Sequence, residues 1–151
     1  LDSPPHYESD SLAQFLLHLR GRFDQVVVDI PRFILASHNS VLSGTQELVI
    51  ATDLSLVGLR DANRLKRYFA ETVPEVKLTV AANMVRSGRA GQLAVKDFAR
   101  GLEGDLVHRI PLDEKAAGRS ANSGQPMARG AKRGKATAAI RRLAAELAAA
   151  S

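Results

Sequence analysis

Residues 23–32 read FDQVVVDIPR, and the chemistry in that stretch is one carboxylate placed behind three valines. Val26, Val27 and Val28 form an uninterrupted β-branched run, the pattern of a strand covered on both faces as in parallel sheets. Pro31 has no amide hydrogen for a ladder, so the strand is expected to finish at or just after Asp29. A carboxylate at the C-terminal end of a central strand stands where open α/β sheets keep their ligands. The form hhhhD is the one in which such a carboxylate holds a magnesium ion or its water beside a nucleoside triphosphate. The same Asp29 could also serve as a cap for the turn that follows it.

Three other strand ends carry polar groups. Asn83 closes VKLTVAAN, and its amide offers both a donor and an acceptor to a base edge or to a turn. Asp113 in RIPLDEKAA stands just past a strand, as an anchor or as the N-cap of the next helical turn. Thr52-Asp53 follows ELVIA. The partner that would turn Asp29 into a phosphate-handling site is a strand–GxxxxGK[ST]–helix loop. No such loop occurs in the 151 residues: Gly88, Gly91, Gly101, Gly104, Gly130 and Gly134 are scattered without the Lys-Ser/Thr pair. The isolated chain is therefore expected to hydrolyse no ATP.

Other chemistries find no support. There is no cysteine, which excludes disulfides, thiolate nucleophiles and Cys-ligated zinc. His6, His18, His38 and His108 have no metal-ligand spacing. No G-x-S-x-G elbow is present, and Ser40 and Ser43 near His38 have no defined orienting acid.

The elements that must position these groups follow from periodicity. Residues 1–10 are polar with Pro4-Pro5 and read as a linker. Residues 11–20 carry Leu12, Phe15, Leu16 and Leu19 on one helical face, ended by Gly21. The valine strand over 23–29 comes next, then an amphipathic segment with Phe33, Ile34, Val41 and Leu42, closed by Gly44. Residues 47–51 form a second buried strand. Ser55 precedes a helix over 57–72, and Pro74 marks its turn. A third strand is expected over 76–82, a short helix over 93–101, and a fourth strand over 106–110 stopped by Pro111. A helical turn over 114–120 and a last helix over 135–149, with Ile140, Leu143 and Leu147 on one stripe, complete the chain. Strands alternating with helices predict an α/β fold, a three-layer αβα sandwich with a mostly parallel sheet. Right-handed crossovers then bring every strand's C-terminal end to one edge.

Composition agrees with one compact domain whose core is Val, Leu, Ile and Ala, since aromatics make up only 5% and Trp is absent. No apolar run approaches the ~18 residues of a membrane span. The opening LDSPPHYESD is neither an initiator Met nor a signal peptide, so the sequence is read as a piece of a longer protein. The formal charge of +5 is concentrated late. Arg129, Lys132, Arg133, Lys135, Arg141 and Arg142 occur within 14 residues that hold no acid. Such a cluster either contacts a polyanion or is a solvated basic tail and helix face.

Four stretches in order, FDQVVVDIPR, ELVIATDLSLVGLRDANRLKRYF, KLTVAANMVRSG and RIPLDEKAAGRSANSGQPM, resemble the C-terminal half of a MinD/ParA-type deviant Walker ATPase domain. The resemblance covers about residues 11–148. It is nearest the CpaE/TadZ branch, in which Pro31-Arg32 is more at home than the Pro-Pro of many positioning ATPases. It implies a P-loop NTPase-like fold without its phosphate-loop half, and it divides the chain into a linker (1–10), that half of the nucleotide-binding domain (11–128), and a basic stretch with the C-terminal helix (129–151).

The resemblance also implies roles. Asp29 matches the Walker B acid, holding Mg through water, and Ile30-Pro31-Arg32 matches the switch after it. Asn83 matches the residue that contacts adenine, and Pro111-Leu112-Asp113 the loop beside the base. Asp53, Arg60 and Asp61 fall near the face on which nucleotide-bound monomers dimerise. ATP and Mg are the implied cofactors. The implied function is ATP-dependent dimerisation and positioning for type IVc (Flp/Tad) pilus assembly, with slow ATP hydrolysis by the full-length protein and pilus-assembly proteins as partners. The implied location is the bacterial cytoplasm, at the cell pole or on the inner face of the membrane, reached through partners.

The departures carry their own expectations. The family's deviant phosphate loop and its strand would precede Leu1, leaving a gap in the sheet beside the Walker B strand. That gap exposes strand edges unless another segment fills it. The end LAAELAAAS offers too narrow an apolar face for a surface-active membrane helix, so that helix is expected to cover the domain's own core. Two alternatives stand beside the positioning ATPase. One is a ParA-like partition ATPase that binds DNA nonspecifically. The other is a non-catalytic interaction module on the same scaffold.

Overall fold

The computed structural model describes residues 9–35, 39–88, 91–102 and 107–150. The chain falls into two compact units, Leu1–Thr45 and Gln46–Ser151.

The first unit is helical. Helix α1 (Ser9–Arg20) buries Leu16, while Phe15 and Leu17 stay exposed. Helix α2 (Arg32–Leu35) and a 3-10 turn at Asn39–Leu42 follow, burying Leu35, Val41 and Leu42. The Arg20 guanidinium closes the unit by donating to the Ser43 carbonyl at 2.9 Å. Gly44 lies against that guanidinium with φ of +68°, so any side chain there would collide with it.

The expected strand at 23–29 does not form. Residues 25–31 have no regular structure, Val27 is 95% exposed and Val28 is 44% exposed. The physical reason is that a strand exists only against a hydrogen-bonded neighbour, and among the described residues no strand pairs with this one. The valine run supplies β propensity and apolar surface, but neither a ladder nor a cover.

The second unit carries the sheet. Strands β1 (Glu47–Thr52), β2 (Lys77–Val85) and β3 (Val107–Pro111) are parallel in the order β1-β2-β3. Ile50 pairs with Val80, and Val80 with Val107, so the hydrophobic centre of β2 is flanked on both sides. Val80, Ala81 and Ala82 are buried in succession, as a strand covered on both faces requires. Pro111 ends β3 from inside it. At the close of a strand the missing amide hydrogen costs no ladder bond.

Helix α3 (Leu56–Thr72) connects β1 to β2. Ser55 caps it, its hydroxyl accepting the Gly58 amide at 2.9 Å, and Pro74 stands two residues past its end. Ala62 and Phe69, seven residues apart, face inward. Helix α4 (Val95–Gly101) connects β2 to β3 and buries Phe98 completely. Asn63 donates to the Gly101 carbonyl at 2.9 Å and Lys66 to that of Leu102 at 2.7 Å, so α3 satisfies the carbonyls at the end of α4.

Beyond β3 come α5 (Glu114–Ser123), α6 (Met127–Gly130) and α7 (Lys135–Ala150). Gly124, in the left-handed conformation, ends α5. Buried Leu143 and half-buried Leu147 bring α7 against β2 and β3 beside Leu78, Thr79 and His108, and His108 Nε2 meets Glu146 at 3.4 Å. The last helix thus packs on its own domain, with Ile140 left 39% exposed. Helices α3 and α4 meet through Asn63 and Lys66, and α7 packs against β3. The architecture is the α/β three-layer sandwich with a parallel sheet.

Candidate nucleotide-facing edge of the sheet

Parallel strands with right-handed crossovers bring the ends of β1, β2 and β3 to one edge of the second unit. The residues there are Asp53, Asn83, Pro111 and Asp113. Asp29 and Pro31 belong to the first unit, where both are exposed.

At the end of β1, Asp53 turns the chain into α3. Its Oδ1 accepts the Ser55 hydroxyl at 2.6 Å and the Ser55 amide at 3.2 Å. The first turn of α3 passes so close that a Cβ on Gly58 would lie 2.6 Å from the Asp53 carbonyl oxygen and 2.6 Å from Thr52 Oγ1. Arg60 is exposed and Asp61 half-buried on the same helix. Leu56 and Val57 stand 65% and 68% exposed beside them, an apolar pair at the helix start that residue spacing did not single out.

At the end of β2, Asn83 is exposed. Its Oδ1 accepts the amide of Met84 at 2.8 Å, and among the described residues its Nδ2 hydrogens have no partner. Asn83 thus shapes the turn, with its amide nitrogen exposed. Gln92 reaches the same turn, donating to the Met84 carbonyl at 3.1 Å and accepting the Arg86 amide at 3.0 Å. Gln92 was absent from the candidates read from the sequence, because no motif distinguishes a loop glutamine.

At the end of β3, Pro111 and Leu112 are half-buried, and the Leu112 amide donates to the Val85 carbonyl at 2.9 Å. Asp113 proves to be an N-cap. Its Oδ1 accepts the Ala116 amide at 3.1 Å, and its Oδ2 accepts that of Ala136 at 3.5 Å. The Ala116 amide, above all, holds its carboxyl below the ordinary range, with smaller contributions from the Ala136 and Lys135 amides and the Lys135 charge. Both oxygens serve helix starts, so the carboxylate fixes the loop that Pro111 and Leu112 form.

This edge holds the exposed Asn83 amide and the half-buried Pro111. Anchoring phosphates would need a loop the sequence does not contain. Among the described residues, no three acidic, histidine or cysteine side chains come together as a metal site. Nor is any helix there long and apolar enough to cross a membrane.

No family model matches the chain. The septum site-determining protein MinD of Synechocystis is 26% identical over 121 residues, a match covering 79% of this chain and 45% of that protein. Among solved structures, a ParA family ATPase from Chlorobium tepidum superposes with a TM-score of 0.78 at 23% identity, over 93% of this chain and 60% of that one. The MinD cell division protein of Aquifex aeolicus gives 0.73 at 22% identity, over 94% and 63%. The chain spans about half the length of the curated relative it matches. The fold is that of the two solved structures.

Proposed function

We propose that this chain is the base-binding half of a MinD/ParA-family, ATP-dependent positioning protein, whose phosphate-binding loop lies outside the 151 residues. The observation that carries the reading is the convergence of Asn83, Pro111 and Asp113 at one edge of a parallel sheet, with the Asn83 donors turned outward. In this reading Asn83 holds the adenine edge, Pro111 and Leu112 flank the ring, and Asp113 keeps their loop in place. Asp29 holds Mg through water once the valine run is paired in the whole protein, and Pro31 lies in the switch after it. Bound ATP–Mg would supply the charge that joins two monomers and the phosphoryl bond that is cut to part them.

Asp53, Arg60 and Asp61 near the start of α3 then border the dimer face. Leu56 and Val57 add exposed apolar surface to it. Within the family we assign the chain to the CpaE/TadZ branch on Pro31-Arg32 and the order of the four stretches, with type IVc pilus assembly as the process positioned. That assignment puts the protein in the bacterial cytoplasm, brought to a pole or to the inner face of the membrane by its pilus-assembly partners.

A second reading, a partition ATPase on DNA, draws on Arg86, Arg89, Arg129, Lys132, Arg133 and Lys135, with Arg141 and Arg142 in the same basic stretch. Part of that charge is structural, since Arg141 donates to the Ala128 carbonyl at 2.9 Å and ties α7 to α6. A DNA-binding role requires affinity that falls steeply with salt. A third reading, a non-catalytic interaction module, gains from any full-length sequence without a phosphate loop.

The deciding experiment is an intact-mass determination on native protein, joined to ATP binding on the same sample. A mass well above 16.3 kDa with Mg-dependent ATP affinity that disappears in Asp29→Ala supports the proposal. A full-length protein with no ATP affinity overturns it in favour of the interaction module.

A further inference from the structure

The ladder between β2 and β3 is interrupted between Ala82 and Val85. Within that interruption Met84 has φ of +54°, the one positive value at a non-glycine position among the described residues. An L-residue with a side chain pays for that conformation, and it persists where the surroundings over-determine it. Three hydrogen bonds do so here. Asn83 Oδ1 accepts the Met84 amide, and the Gln92 side chain takes the Met84 carbonyl and the Arg86 amide together. One carboxamide thereby replaces the neighbouring strand over the residues where the ladder has lapsed. Gln92 is itself held in place by the next residue, whose amide donates to the Leu54 carbonyl at 2.7 Å.

The consequence falls on Asn83. Its Oδ1 is tied to the Met84 amide, so the turn of the Met84 peptide sets where the carboxamide points. The oxygen keeps a second lone pair and the nitrogen both hydrogens, the set that an Asn uses on the N6 and N7 edge of adenine. We propose that Gln92 is a positioning residue for base selection: it makes no contact with nucleotide and acts by locking the Met84 turn that aims Asn83. This rests on the nucleotide-binding reading above.

The test uses full-length protein and competition of ATP and of GTP against a fluorescent ATP analogue. It is joined to hydrogen exchange at the Met84 and Arg86 amides. Gln92→Ala is expected to cut the preference for ATP over GTP by about tenfold while leaving GTP affinity unchanged. It should also speed exchange at both amides, with little change in thermal midpoint. The double variant Met84→Gly/Gln92→Ala should recover part of the preference, because glycine holds the left-handed turn without help. An unchanged ATP-to-GTP ratio, or an equal loss of both nucleotides, overturns the proposal. If the wild-type protein binds neither nucleotide, the functional reading fails and base selection through Gln92 falls with it, whereas unaltered exchange in Gln92→Ala of a nucleotide-binding protein overturns the positioning role alone.

Discussion

Asp113 and Ala136 are separated by 23 positions in sequence, yet the carboxylate of the first accepts the amide of the second at 3.5 Å. Because the other oxygen of Asp113 accepts the Ala116 amide, one side chain supports the starts of both α5 and α7. The path between them is tight: a Cβ on Gly134 would come within 3.0 Å of Asp113 Oδ2 and 2.9 Å of the Ala116 Cβ. The loop after β3 and the last helix are thus held by the same group.

Replacing Asp113 by Ala should lower the thermal midpoint by several degrees, since two helix starts lose their acceptor together. The pH dependence has a definite sign. The folded-state pKa lies below the ordinary 3.8, so the stabilisation is fully present above that value and is lost as pH falls through the folded pKa. The stability difference between wild type and Asp113→Asn should therefore be constant above about pH 3.8 and shrink as pH falls below it. A constant difference across the titration would show that the carboxylate's charge is irrelevant.

Gly58→Ala offers a test of the close passage over β1. On helix propensity alone, alanine would stabilise α3 by about 1 kcal/mol. The collision with Thr52 and Asp53 should reverse that sign, with a net loss of about 1–3 kcal/mol in urea unfolding. A stabilised variant would mean that the Asp53 turn relaxes freely.

Asp29→Ala should leave the stability of the 151-residue chain within about 0.5 kcal/mol of wild type, because Asp29 is exposed and outside regular structure. Neither form should turn over ATP. Turnover by the wild-type chain, absent from the variant, would contradict a site divided between this chain and residues beyond it.

The exposed valines make a prediction about association. Val27→Lys together with Val28→Thr should leave the unfolding midpoint unchanged and reduce self-association in light scattering at raised concentration. If the midpoint falls instead, the valine run is part of the folded core in solution.

Much of the second unit was legible from local rules. The apolar runs at 47–51 and 76–82 are strands because their neighbours β1 and β2 are each other's partners and both lie within the chain. Ser55 and Pro74 bracket α3 as capping chemistry predicts. The valine run at 23–29 followed the same rules and failed, because propensity does not supply a hydrogen-bonding neighbour. Asp113 was open between anchor and cap, and only the fold reveals the second helix start, 23 residues away, that engages its other oxygen. Gln92 was invisible: its importance comes from a left-handed Met84 that no spacing announces. Short α6 likewise has no periodicity to display, having a single turn.

The order β1-β2-β3 repeats the order of synthesis. Each strand pairs with the one made just before it, and each crossover carries a single helix. A ribosome releasing the second unit would hand over its strands in pairing order, and none would wait for a later partner. The short loop closures this allows favour rapid docking of each new strand. The valine run, emitted earlier, has no such successor.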